Sequence, residues 1–164
     1  MDTAKRYEDL LAGKHAATLL RTPFDLQAMN QGYHQLATAE QLGPYQGTAG
    51  IARRSWAQAH AEALTRFIRA YRAATNWLQA PANREVAEAL LVAHSRDMTP
   101  ALARQSYALL LAEKGGLARD LAIDSEGLAT VLALRSRYGL PAKPLGDPAK
   151  YIDIGYLEKA AAPR

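Results

Sequence analysis

The clearest pattern of apolar and polar positions lies between Trp56 and Gln79. Most of its apolar side chains recur three and four residues apart, as on one face of an α-helix; this face carries Leu64, Phe67, Ile68, Tyr71, Thr75 and Leu78. The opposite face carries Arg66, Arg69 and Arg72, at positions where charged side chains are normally solvated. The spacing therefore predicts one long amphipathic helix.

Start and stop signals predict further helices along the chain. Residues 3–12 have the composition of a short helix, and Gly13 suits the turn that ends it. Three later helices begin with residues that cap the free backbone N–H groups of a first turn: Asn83, Thr99 followed by Pro100, and Asp124 or Ser125. A proline-rich loop over residues 140–148 then leads to a turn and a short terminal helix.

Segments ahead of the long helix predict β-structure. A short apolar run over residues 15–20 is typical of a buried strand, and residues 33–42 predict a short irregular one. Between them, Thr22 caps a helix with Pro23 at its first position. Residues 43–54 are rich in glycine, which suits an extended segment that other backbone approaches closely. Helix, strand, loop and helix make an α/β pattern, so the predicted fold class is α/β with helices dominant.

Composition narrows the classes of function. The chain has 164 residues, about the size of one domain, and 49% of them are hydrophobic. It contains no Cys, which excludes disulfides and thiolate metal sites. The formal net charge is +4, but basic and acidic residues alternate along the predicted helices. Binding to a nucleic-acid backbone needs a clustered basic patch, so we expect no nucleic-acid partner and keep that function as the weakest alternative.

The residue types that carry catalysis are not arranged as they are in active sites. Zinc needs three or four convergent ligands, whereas the four histidines lie in different predicted elements, at His15, His34, His60 and His94. No serine lies in a Gly-x-Ser-x-Gly motif, and no glycine-rich phosphate loop follows a predicted strand. We therefore expect no enzymatic activity, no metal and no cofactor.

Several features occur in the same order as in a known family. They are the helix ending Leu10-Leu11-Ala12-Gly13-Lys14, the strand from Ala16 to Leu20, the loop Thr22-Pro23-Phe24, the segment Pro44-Tyr45-Gln46-Gly47 with Arg53-Arg54-Ser55-Trp56, and the ending Tyr151-Ile152-Asp153-Ile154-Gly155-Tyr156. In this order they resemble the C-terminal half of the solute-binding proteins of ABC importers for nitrate, taurine, alkanesulfonates and thiamine-precursor pyrimidines. The resemblance covers nearly the whole chain and depends on the order of the features, since no single motif is diagnostic.

The resemblance implies a partial lobe of the type II periplasmic-binding-protein fold, in which two α/β lobes enclose a cleft. Residues 1–42 would be a remnant of the second lobe, residues 43–54 the crossing strand between lobes, and residues 55–164 the helical part of the first lobe and the tail. The implied function is capture of a small anionic or heteroaromatic solute, such as a sulfonate, nitrate or pyrimidine, for an ABC permease. The implied localisation is periplasmic, although the N-terminus has no signal peptide and the chain as written would stay in the cytoplasm.

Two groups of residues are the candidate ligand site. Thr22, Pro23 and Phe24 follow the carboxyl end of the predicted strand, where ligands bind in α/β folds, and a helix N-terminus there would attract an anion. Tyr45 and Gln46 lie on the crossing segment, which borders the cleft in the family that the chain resembles, and their polar groups suit a polar ligand. Helix capping and hinge packing are the structural alternatives for the two groups.

The family's N-terminal half, with most of its sheet, has no counterpart in this sequence. The predicted helices would then lack the surface that covers their apolar stripes, and such stripes must be buried on something. We expect either a homo-oligomer or a rearranged, helix-dominated packing, with solute binding weak or lost. The alternative function is a helical interaction protein that self-associates and binds no ligand.

Overall fold

Helices account for all the regular structure that a computed structural model describes, over residues 2–113 and 115–162. In that part of the chain the α-helices are α1 (Thr3–Leu11), α2 (Phe24–Asn30), α3 (Arg54–Ala59), α4 (Ala61–Gln79), α5 (Arg84–His94), α6 (Pro100–Leu110), α7 (Ser125–Tyr138) and α8 (Gly155–Ala161). Short 3-10 turns cover Ala39–Leu42, Pro81–Asn83, Arg119–Leu121 and Pro148–Lys150. No described residue belongs to a β-strand.

The predicted α/β class is therefore wrong, and so is the partial periplasmic-binding-protein lobe. Residues 15–20 and 33–38 form no regular structure, and residues 43–53 are an unpaired segment that leads directly into α3. Leu19, expected inside a buried strand, is 78% exposed. A strand is stable only when a neighbouring strand takes its backbone hydrogen bonds, and no segment among the described residues supplies one.

The helix predictions succeed where the signal is local. The Thr99 hydroxyl accepts the Leu102 N–H at 3.2 Å at the start of α6, and Asp124 Oδ1 accepts the Gly127 N–H at 3.0 Å at the start of α7. The helix predicted from Trp56 begins at Arg54 and bends at His60, whose φ of −124° and ψ of 34° separate α3 from α4.

The described chain divides into two compact units, each made of two separate stretches. Unit 1 comprises Met1–Thr38 and Arg84–Ala112, and unit 2 comprises Ala39–Asn83 and Glu113–Arg164. Unit 1 therefore contains α1, α2, α5 and α6, and unit 2 contains α3, α4, α7 and α8. The division at residues 42 and 54 that the resemblance implies stays a prediction.

The apolar core of unit 1 is formed by residues from the loop before α6 and from the first turn of α6. Met98, Leu102 and Ala103 form a buried cluster, and Leu26 of α2 and Leu91 of α5 pack against it. Helix α5 packs along α6, and α1 packs on α2. Apolar burial therefore joins α2, α5 and α6 in this unit.

Unit 2 is built around the contact between α4 and α8. The Arg69 guanidinium donates to the carbonyl oxygens of Ala160 at 3.2 Å and Lys159 at 3.3 Å, which lie in the last turn of α8. These carbonyls have no partner within their own helix, and a cation also interacts favourably with the negative end of the helix dipole. The Arg72 guanidinium pairs with Asp120 at 2.8 Å, next to the same face of α4.

The first turn of α7 lies against the glycine-rich segment. A Cβ atom on Gly127 would come within 2.7 Å of the Gln46 backbone nitrogen and 2.9 Å of the Tyr45 carbonyl carbon. Gly47 and Gly50, which the sequence suggested for close backbone approach, have no atom within 4 Å of such a Cβ. The close approach predicted for this segment therefore exists, but the glycine that allows it is on the opposing helix.

Candidate interaction site

The first predicted group of site residues lies in unit 1, at the start of α2. Thr22 is exposed, and its hydroxyl donates to Asp25 Oδ2 at 3.2 Å instead of accepting a backbone N–H. Pro23 is the N-cap residue, and the Phe24 ring packs on Tyr7 with 5.4 Å between ring centroids. The carboxylate of Asp25 already lies in the first turn of α2, so the helix start has a negative group of its own.

The second predicted group lies in unit 2, and Gln46 has a structural contact there. Its Oε1 accepts the Asp124 N–H at 2.9 Å, and its Nε2 donates to the Thr48 carbonyl oxygen at 2.6 Å. The Oε1 contact holds the 43–53 segment beside the start of α7, and the Nε2 contact closes a local turn within the segment. Tyr45 is exposed. A role of either group in ligand binding stays a prediction.

The best-connected acidic group also has a structural role. Asp9 Oδ1 accepts from Lys5 Nζ at 2.9 Å and from Lys14 Nζ at 3.0 Å. The Lys5 hydrogen bond, with that of Lys14, holds the pKa of the Asp9 carboxyl below its ordinary value. These contacts tie the residue after Gly13 back to α1, and no second carboxylate pairs with Asp9 as acid–base chemistry would require.

Metal ligands do not converge within the described ranges. Residues 2–113 and 115–162 contain no group of three or more histidine, aspartate or glutamate side chains that could hold an ion. His60 instead stacks on Trp56, with 4.7 Å between ring centroids and an interplanar angle of 13°.

The most distinctive surface is a row of exposed side chains on α3 and α4, which we call the aromatic ridge. It consists of Trp56, His60, Ala63, Phe67, Tyr71 and Ala74, all of them exposed. Trp56 is 46%, Phe67 64% and Tyr71 49% exposed. Their separations of three and four residues place them on one side of the helix. Backbone hydrogen bonds from His60 to Trp56 and from Leu64 to His60 carry the helix across the bend.

The ridge is exposed because α4 packs against its neighbours through a different side of the helix. The buried or half-buried positions that face α8 and the Arg119–Leu121 turn include Thr65, Arg69, Arg72 and Thr75. At 3.6 residues per turn the centre of this face lies about 150° from the centre of the ridge, close to the opposite side of α4. The hydrogen bonds of Arg69 and Arg72 fix it toward α8 and the turn, so the aromatic residues are left outside.

The ridge contains no lysine, arginine, aspartate or glutamate. The ionised side chains of α4 all lie away from it, at Glu62, Arg66, Arg69 and Arg72. Phe67 and Tyr71 stack on each other along the ridge, with 6.1 Å between ring centroids. The sequence predicted Phe67 and Tyr71 as part of one apolar stripe of the helix, with Leu64 and Ile68, and did not separate the ridge from that stripe. The signal that could have revealed it is the alanine at positions 63 and 74, in register with the aromatic residues.

Unit 1 has an apolar depression of its own. A cavity of about 430 Å³ is lined by Leu26, Met29, Asn30, Gln105, Ala108 and Leu109. Asn30 and Gln105 are its polar side chains, and neither is charged. Small-molecule sites are usually enclosed and combine apolar walls with convergent polar groups, a combination that this open depression does not present.

Comparisons with known protein families, with characterised proteins and with solved structures find no match for this chain. Within the part of the chain that the structure describes, no helix is both long enough and apolar enough to cross a bilayer. The surface of unit 2 is therefore the feature from which a function can be argued.

Proposed function

We propose that this chain is a helical interaction protein that self-associates through the aromatic ridge of unit 2. The observation that carries the proposal is the exposure of three large aromatic side chains, Trp56, Phe67 and Tyr71, along a ridge that contains no lysine, arginine, aspartate or glutamate. Water contact with such a surface is unfavourable, and burying it against another apolar surface releases free energy.

The residue types of the ridge support an interface. Tryptophan and tyrosine are enriched among the residues that dominate binding energy at protein interfaces, and charged residues are depleted from interface cores. The ridge combines both properties over five helical turns. It also lies on a rigid element, since the opposite side of α4 is held by Arg69 and Arg72.

Solute binding, which the resemblance implies, stays a prediction. It depends on a cleft between two α/β lobes, and the described residues contain no strand with which to build one. Delivery to an ABC permease and periplasmic localisation depend on the same resemblance. Among residues 2–113 and 115–162, no contact, cavity or charge favours these roles over self-association.

Light scattering coupled to size-exclusion chromatography, across a wide range of protein concentration, tests the proposal. We expect the molar mass to rise with concentration and the Phe67→Ser variant to remain a monomer over the same range. The matched control is Val86→Ser, which removes another exposed apolar side chain, 54% exposed against 64% for Phe67, from α5 of unit 1. This control should associate as the wild-type chain does.

Two results would contradict the proposal. One is a wild-type chain that stays monomeric up to the highest soluble concentration. The other is a Phe67→Ser variant that associates as strongly as wild type while its unfolding curve is unchanged. Because Phe67 is largely exposed, its replacement should leave the free energy of unfolding within about 0.5 kcal/mol of the wild-type value.

A further inference from the structure

We infer that the ridge pairs with the ridge of a second copy in an antiparallel arrangement, about a two-fold axis at Phe67. This inference rests on the proposed self-association and adds the identity and orientation of the partner surface. It is carried by the order of large and small side chains along the ridge.

From His60 to Ala74 the spacing of the ridge is symmetric about Phe67, and Trp56 lies beyond this symmetric stretch. Ala63 lies four residues before it and Tyr71 four residues after it, while His60 lies seven before and Ala74 seven after. In an antiparallel pair of helices related by a two-fold axis, positions at equal distance from the axis face each other. Tyr71 of each copy therefore faces Ala63 of the other, and His60 faces Ala74.

This pairing matches large side chains with small ones. Protein interiors and interface cores are packed without gaps, which requires bulky residues to lie opposite small residues. In a parallel pair at the same register, Ala63 would face Ala63 and Tyr71 would face Tyr71. Gaps at the alanines would then alternate with crowding at the rings, so the antiparallel arrangement packs better.

Phe67 is the position that faces its own copy. Two phenylalanine rings at a two-fold axis can adopt the offset or tilted geometry that aromatic pairs prefer. Because the ridge contains no lysine, arginine, aspartate or glutamate, the pairing brings no like-charged pair of these residues together. Antiparallel helices also place the positive end of one helix dipole beside the negative end of the other, which favours this orientation over the parallel one.

The size of the ridge indicates how strong the pairing is. The stretch that pairs, from His60 to Ala74, is about 21 Å long, and a contact about 12 Å wide covers roughly 250 Å² of each copy. A standard stable interface uses about 800 Å² on each partner. The area therefore predicts a reversible dimer that dissociates on dilution.

Engineered cysteines test the orientation cleanly, because the natural chain contains none. We expect His60→Cys and Ala74→Cys, mixed under oxidising conditions, to form a disulfide between the two different chains. Ala74→Cys alone should cross-link at least about tenfold less, since its two copies would lie roughly 21 Å apart along the helices and a disulfide needs Cα atoms within about 7 Å. Arg66→Cys, on the exposed side of α4 away from the ridge, is the control and should not cross-link.

The outcomes separate this inference from the function on which it rests. Ready cross-linking of Ala74→Cys with itself, and none with His60→Cys, would overturn the antiparallel arrangement and leave self-association intact. Dimers in light scattering that form neither disulfide would show that another surface makes the contact, which overturns the inference. A chain that is monomeric at every concentration would overturn both.

Discussion

Unit 1 and unit 2 are both helical, yet different interactions hold their helices together. In unit 1 the core is a cluster of apolar side chains around Leu102, which is 4% exposed. In unit 2 the buried positions are mostly small or polar, among them Ala57, Thr75, Gly127 and Ala160. Small side chains bury little area, and the hydrophobic contribution to stability scales with that area.

The difference shows how an alanine-rich chain can still position its helices. Unit 2 uses directed contacts, namely the Arg69 hydrogen bonds to α8 and the backbone approach at Gly127. Because these contacts need few large apolar residues, the aromatic side chains Phe67 and Tyr71 of α4 stay exposed. Substitutions in the two units should therefore have effects that differ in size and in kind.

The largest effect is expected in the apolar core of unit 1. Leu102→Ala should lower the free energy of unfolding by about 2–4 kcal/mol, because it removes buried methyl groups and leaves a cavity. The control is Leu109→Ala on the same helix, where the side chain is exposed and the loss should be less than about 1 kcal/mol. Urea unfolding followed by circular dichroism measures both. Equal losses would show that unit 1 does not depend on this cluster.

The next effect is expected at the close approach in unit 2. Gly127→Ala should destabilise the protein by about 1–3 kcal/mol, since the added Cβ would overlap the backbone of Tyr45 and Gln46. This loss outweighs the gain of about 1 kcal/mol that alanine gives over glycine within a helix. Gly47→Ala, which adds a Cβ in open space, should change the unfolding midpoint little. A Gly127→Ala variant more stable than wild type would contradict the packing described for α7.

A smaller effect is expected from the polar contact between α4 and α8. Arg69→Ala should cost about 1–2 kcal/mol, because two carbonyl oxygens lose a charged donor. Arg66→Ala removes an exposed arginine whose partner is Glu62, and its cost should be below about 0.5 kcal/mol. Chemical denaturation compares the two variants. If both cost the same, the directed contact would not be what stabilises unit 2.

The smallest effect is expected from the ion pairs of Asp9 in unit 1. Its pKa is lowered in the folded protein by Lys5 and Lys14, so its contribution is present above the unfolded-state pKa and is lost as pH falls through the folded-state pKa. The stability difference between wild type and Asp9→Asn should be largest above about pH 5 and shrink toward about pH 2. Thermal unfolding across this range measures it. A difference that stays constant with pH would mean that the ion pairs contribute nothing.

Helices could be predicted from the sequence because their signals are local. The caps at Thr99 and Asp124 each satisfy a backbone group three residues away, so a few residues determine the outcome. The spacing within α4 is likewise contained in the helix. Its bend at His60 was missed, since both sides of the bend keep helical spacing.

The strands were predicted wrongly because a strand depends on partners far away in the chain. The run over residues 15–20 is apolar and short, which suits a strand only if another strand pairs with it. The resemblance to the solute-binding proteins implied that residues 15–20 lie within a β-sheet. The described residues contain no β-strand, so no such sheet is formed among them.

The aromatic ridge could be predicted only in part. Its apolar spacing is visible in the sequence, and the expectation of bare helix stripes that favour association follows from it. Which side of α4 is buried depends on the hydrogen bonds of Arg69. Its acceptors, the carbonyl oxygens of Lys159 and Ala160, are about ninety residues later in the chain. Thr22 to Phe24 and Tyr45 with Gln46 were chosen for a cleft between strands, so their local contacts could not be foreseen.

Both tryptophans of the chain, Trp56 and Trp77, lie in unit 2, and one of them is on the ridge. Light at the red edge of protein absorption therefore excites unit 2 alone. Because Trp56 is partly in water and stacked on His60, its emission colour and lifetime should respond when a second chain covers it. Trp56 would thus be a natural fluorescent probe of the proposed self-association, without any added dye.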